Sequence, residues 1–108
     1  MIEHGLDYAD LYPADYVSML YKAKDGRQCQ FFFKCDSESL CILDCRYHHV
    51  GMDAYVDLCE GLAIGVVGIV LSDVKQLNTE KVLPWFPTDP ILEDLNLLLG
   101  IITAIVVD

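Results

Sequence analysis

No stretch of this chain is long and apolar enough to cross a bilayer as a helix. The uncharged runs at 61–72 and 95–107 fall short of the ~20 apolar residues that a span requires. Basic residues are scarce: 7 Lys and Arg stand against 17 Asp and Glu, a formal net charge of −10 over 108 residues. Such a surface repels phosphate backbones and anionic membranes. Direct nucleic-acid binding and membrane association are therefore not expected, whereas a basic protein partner is. No glycine-rich phosphate loop of the P-loop or dinucleotide type occurs. No secretory leader is read at the start, where Met1-Ile2-Glu3-His4 runs into an acidic stretch. The five cysteines are odd in number and form no disulfide framework, so free thiols in a reducing, cytoplasmic setting are expected.

What is abundant is apolar surface. Hydrophobic residues make up 54% of the chain and charged ones 22%, enough for a packed core in a single domain spanning 1–108. The apolar excess predicts strands buried on both faces or self-association, most simply a homodimer.

Residues 16–47 read as three antiparallel strands. The odd positions Val17, Met19, Tyr21 and Ala23 are apolar, and so are Cys29, Phe31, Phe33 and Cys35. Both sets reach one face only if the connecting loop has an odd number of residues. Lys24-Asp25-Gly26 satisfies this, with Gly26 at the left-handed position. Tyr21 is then placed opposite Cys29, Met19 opposite Phe31 and Val17 opposite Phe33. In the third strand Cys41, Leu43, Cys45 and Tyr47 share one face, and the loop before it takes three or five residues by the same parity. Leu20, Phe32 and Ile42 fall on the second face. Five of the seven basic residues lie within 16–47.

Two later stretches share an outline. Asp53 and Asp89 open helix-like runs, closed by Gly65 and Gly100, and an apolar, β-branched segment follows each. Tyr55, Leu58, Cys59, Leu62 and Val66 form the stripe of the first helix. Ile91, Leu92, Leu95, Leu98, Leu99 and Ile102 form that of the second. The expected fold class is α/β or α+β, a mixed five-stranded sheet in the order β-β-β-α-β-α-β. Antiparallel amino-terminal strands are followed by two helix–strand units, with strands near 40–47, 66–71 and 101–107 parallel. The rival for the last segment is one continuous helix over 90–107.

Chemistry-bearing residues are few. Cys41, Cys45, His48 and His49 suggest zinc, but on a strand Cys41 and Cys45 stand ~13 Å apart, too far for one tetrahedral ion. No metal and no cofactor are expected. In open α/β sheets ligands bind beyond the carboxyl ends of parallel strands. That rule places His48, His49, Asp73 and Asp108 at an alternative ligand or catalytic site, with a histidine base oriented by Asp73. The spacing Gly61-x-x-x-Gly65 signals close packing.

The favoured reading is a non-catalytic interaction protein. The acidic, aromatic amino terminus, with Asp7, Tyr8, Asp10, Tyr12 and Asp15, offers carboxylates and ring anchors to a basic partner. Leu20, Phe32 and Ile42 offer an apolar patch. In charge and size the chain is similar to immunity-type proteins and to inhibitors that mask a nucleic-acid-binding surface, a similarity of composition alone.

Overall fold

Tyr21 stands opposite Cys29, and this pair anchors the first hairpin. The structure, a computed structural model, describes residues 4–7 and 11–106. Strand β2 (Tyr21–Lys22) turns into β3 (Gln28–Cys35) through Lys24-Asp25-Gly26. The Ala23 N–H donates to the Arg27 carbonyl at 2.8 Å, and Gly26 has φ 93°, the left-handed position expected of it.

The register does not continue into β1 (Tyr16–Ser18). There Val17 pairs with Phe32 and Tyr16 with Phe33, one residue out of step with the Tyr21–Cys29 pair. Met19 and Leu20 take up the slip as a bulge, and the Met19 N–H leaves the ladder for the Ala104 carbonyl at 2.8 Å. A one-residue slip turns each side chain over. Ser18 therefore enters the core in place of the expected Val17 and Met19. It is 0% exposed, and its Oγ accepts the Phe31 N–H at 2.9 Å.

A second irregularity shifts the pairing of β3 with β4 (Ile42–Val50). Phe31 faces Tyr47 and Phe33 faces Cys45, but Cys35 faces Ile42, with Leu43 as the extra residue. Ile42 is thereby buried in the core and Leu43 exposed, the reverse of simple alternation. The connecting loop holds four residues between Asp36 and Cys41, which bond at 2.9 Å. An even loop suffices because the bulge supplies the odd residue that parity requires. The Asp36 carboxylate holds the loop by accepting the Glu38 and Ser39 N–H groups.

A 3-10 turn (Asp53–Tyr55) leads into α1 (Val56–Gly65), which stops at Gly65 as expected. No side-chain cap bond is made at its start, so Asp53 lies in the first turn and does not cap. Residues 66–71 are not a strand. Val66 bonds back into the helix, Gly68 has φ 92°, and one antiparallel bridge joins Cys41 to Val70. A chain reversal at a positive-φ glycine is incompatible with a buried parallel strand. Short helices α2 (Leu71–Val74) and α3 (Thr79–Val82) follow, then a 3-10 turn (Leu83–Trp85).

Helix α4 (Leu92–Ile102) begins beyond Asp89 and Pro90 and runs through Gly100. Ile101 and Ile102 remain helical because both are buried there. The chain leaves the helix at Thr103 and forms β5 (Ile105–Val106), antiparallel to β1. The continuous-helix alternative thus fails, and so does the parallel arrangement. The sheet is five-stranded and antiparallel, with β4 on β3, β3 on β1 and β2, and β1 on β5. The class is α+β, strands first and helices after. Cys29, Phe31, Phe33, Cys45 and Tyr47 form the inner sheet face, and Leu62, Ala63, Leu95, Leu98 and Ile102 belong to the same core cluster.

Candidate functional site

The amino-terminal arm is tied to the sheet at several points. Leu6 and His4 bond through their backbones to Tyr47, and Gly5 makes a parallel bridge there. The Tyr47 hydroxyl donates to Glu60 at 2.7 Å. The same carboxylate receives the His4 N–H and lies 2.9 Å from His4 Nδ1. Burial, then the Glu60 hydrogen bond, pushes the Tyr47 phenol well above its ordinary value. This clamp from arm to α1 has no signal in the sequence beyond the presence of its residues.

Further along the arm, the Tyr12 hydroxyl donates to Asp44 at 2.6 Å, and Arg46 Nε reaches that carboxylate at 2.9 Å. Burial raises the Tyr12 phenol, and its bond to Asp44 raises it further. For Asp44 burial acts upward, but the bonds from Tyr12 and Arg46 prevail and hold the carboxyl below its usual range. The Asp15 carboxylate accepts the Cys35 N–H at 2.9 Å. Asp7 is exposed, while Tyr8, Asp10 and Asp108 lie outside the described residues. Leu20 sits in the exposed bulge, Phe32 is buried on the outer sheet face, and Ile42 is in the core. These three apolar residues do not converge on one patch.

His48 and His49 point to opposite faces of β4. His48 Nδ1 meets the Leu6 carbonyl at 2.8 Å. His49 stands opposite Cys29 with its ring beside Tyr47, and its buried Nδ1 has no hydrogen-bond partner among the described residues. Both histidines line a hollow of about 480 Å³ with Gly5, Leu6 and Asp7. Asp73 is elsewhere. It lies on α2, just after the Val70 bridge to Cys41, near the start of β4. The strand from Ile42 to His48 separates the two by roughly 20 Å at ~3.3 Å per residue. The strand-end constellation depended on a strand over 66–71, and without it His48 and Asp73 do not meet.

Cys45 lies in the core, and burial pushes its thiol well up. Cys29 and Cys59 are buried together. Their shared hydrogen bond lowers the Cys29 thiol and raises that of Cys59. A thiol at 0% exposure, such as Cys29, presents no nucleophile to a substrate. Among the described residues no three His, Cys, Asp or Glu side chains converge as metal ligands.

A different feature joins segments distant in sequence. Gly61 and Gly65 are one helical turn apart on α1, and the Phe86 and Trp85 rings lie directly on them. A Cβ at either glycine would overlap its ring. This explains the Gly61-x-x-x-Gly65 spacing: the bare helix surface seats two aromatics. Beside them runs a groove of about 580 Å³, walled by Trp85, Phe86, Leu58 and Ile91. Asp57 from α1, Asp89 from the loop and Asp94 from α4 also border it. None of these carboxylates forms an ion pair among the described residues.

No protein-family model matches the chain, and no curated protein matches it either. The geometry is therefore the ground for assigning a role. It offers an acidic, aromatic groove, a tethered arm and a histidine-lined hollow.

Proposed function

We propose that this is a small acidic, non-catalytic interaction protein that engages a basic surface of a partner protein. It acts as an inhibitor or immunity-type protein does when it masks a nucleic-acid-binding site. The observation that carries this reading is the groove bordered by Asp57, Asp89 and Asp94, carboxylates without a counter-ion among the described residues. The charge distribution adds support. Arg27 and Arg46 are each held 2.9 Å from an aspartate, Asp25 and Asp44, which reduces the positive field within a chain of net charge −10. Two like-signed polyanions repel, so nucleic acid itself is not the ligand.

The free thiols support a reducing, cytoplasmic location. Self-association as a homodimer has its own support. Met19 and Leu20 are exposed beside β2, and a hollow of about 430 Å³ runs between them and Leu97 and Ile101 of α4. The ligand-site alternative at His48, His49, Asp73 and Asp108 is not adopted, because Asp73 lies on α2, away from the hollow that the two histidines line.

Affinity capture from the native host, repeated at rising salt, tests the reading. Charge reversal at Asp57, Asp89 and Asp94, or at Asp7, Asp10 and Asp15, should weaken capture, whereas His48→Ala with His49→Ala should leave it intact. Capture that depends on the histidines and ignores the acidic residues contradicts it.

A further inference from the structure

We infer that the groove beside Trp85 and Phe86 is the docking site for a basic segment of the partner, seating an arginine or lysine side chain against the rings. The inference rests on the interaction reading above and gives it a location and a recognition chemistry.

The glycine seats decide how the rings stand. Gly61 and Gly65 take up one side of Phe86 and Trp85, so the pair is held by α1 while still walling the groove. A cation over an aromatic face is attracted by the ring quadrupole, most strongly by indole. The carboxylates Asp57, Asp89 and Asp94 come from three separate segments and border the same groove. Among the described residues no Lys, Arg or His lines it, so the charged side chains bordering the groove are all acidic. Apolar wall and anionic border match the two parts of a long basic side chain. Its methylene stem lies along Leu58 and Ile91, and its charged head meets rings and carboxylates. Arginine fits best, since the planar guanidinium both stacks on an aromatic face and bonds a carboxylate in bidentate fashion. Ile91 and Ile64, 68% and 56% exposed, both line the groove, so its apolar wall is open to a partner. A phosphate or an anionic lipid headgroup would meet three like charges there.

Trp85 is the chain's one tryptophan, so its fluorescence reports on this groove directly. The probe is a capped Arg-Leu-Arg peptide, with capped Gln-Leu-Gln as its neutral counterpart. The Arg peptide should shift Trp85 emission saturably, more weakly at high salt, and the Gln peptide should not. Asp57→Asn with Asp94→Asn should weaken binding by about tenfold. Both aspartates lie in first helical turns, so their loss also touches the helices. Asp89→Asn, in the loop, is the second variant and should weaken binding severalfold with unfolding unchanged. Glu38→Gln, which does not line the groove, should have no effect.

Emission that ignores the Arg peptide, or responds equally to the Gln peptide, overturns the docking site. So does a response unchanged in Asp89→Asn and in the double variant. If the variants still bind the host partner with full salt sensitivity, the groove assignment falls and the interaction reading stands. If wild-type binding to the host partner shows no salt sensitivity, both fall.

Discussion

The Trp85 ring rests on Gly65 so closely that a single methyl group at that position would overlap it. Gly65→Ala should therefore force the indole out of its seat. Overpacking of this kind costs ~1–3 kcal/mol, against a gain of at most ~1 kcal/mol from better helix propensity. A net loss of stability is expected, with a shift in Trp85 emission. Gly61→Ala, under Phe86, should behave alike in stability. Chemical denaturation followed by fluorescence checks both.

Ser18 tests the bulge at Met19 and Leu20. Its Oγ takes the Phe31 N–H in the core, so Ser18→Ala leaves that donor buried and without a partner. Such a loss costs ~1–3 kcal/mol. Met19→Ser changes a side chain that is 62% exposed and, measured on the dilute monomer, should fall within ~0.5 kcal/mol of wild type. Unbroken alternation from Val17 to Tyr21 predicts the opposite order, because it would put Met19 inside.

The Tyr12–Asp44–Arg46 group should give stability a pH dependence at both ends of the scale. The Asp44 carboxyl is held below its ordinary value of ~3.9, so its contribution is present above that pH and is lost as pH falls through the depressed value. The Tyr12 phenol is held above its ordinary ~10, so its contribution is present below pH ~10 and is lost as pH rises through the higher value. Denaturation midpoints against pH should show both slopes. Asp44→Asn should flatten the acid one and Tyr12→Phe should lessen the alkaline one. Tyr47, raised by burial and by Glu60, keeps part of the alkaline slope.

Self-association should show as a dimer by sedimentation at micromolar concentration. Leu20→Asp should shift it toward monomer, since a charge would enter the exposed apolar bulge beside α4. A monomer in the wild type would assign the apolar excess to the core alone.

Local chemistry was legible where it was sufficient. Alternation and the left-handed Gly26 position the Tyr21–Cys29 pair correctly, because a short hairpin is decided by its own loop. The slip at Met19 was not legible, since it depends on a bond to Ala104 from the far end of the chain. The apolar run at 66–71 resembles a buried strand because Val66 and Leu71 are core residues, but they are core residues of a turn between helices. Gly68, at φ 92°, was the available clue. The Gly61 and Gly65 spacing announced close packing without naming the rings that fill it. Asp57, Asp89 and Asp94 meet only after α1 and α4 have folded, so the groove could not be read from adjacent residues.

The dissociation constant for the captured partner, measured from about 0.05 to about 0.5 M salt, tests the interaction reading most directly. The acidic-surface account predicts steady weakening with salt in the wild type and a shallower dependence once Asp57, Asp89 and Asp94 are neutralised. An affinity independent of salt, and unchanged by those substitutions, would contradict it.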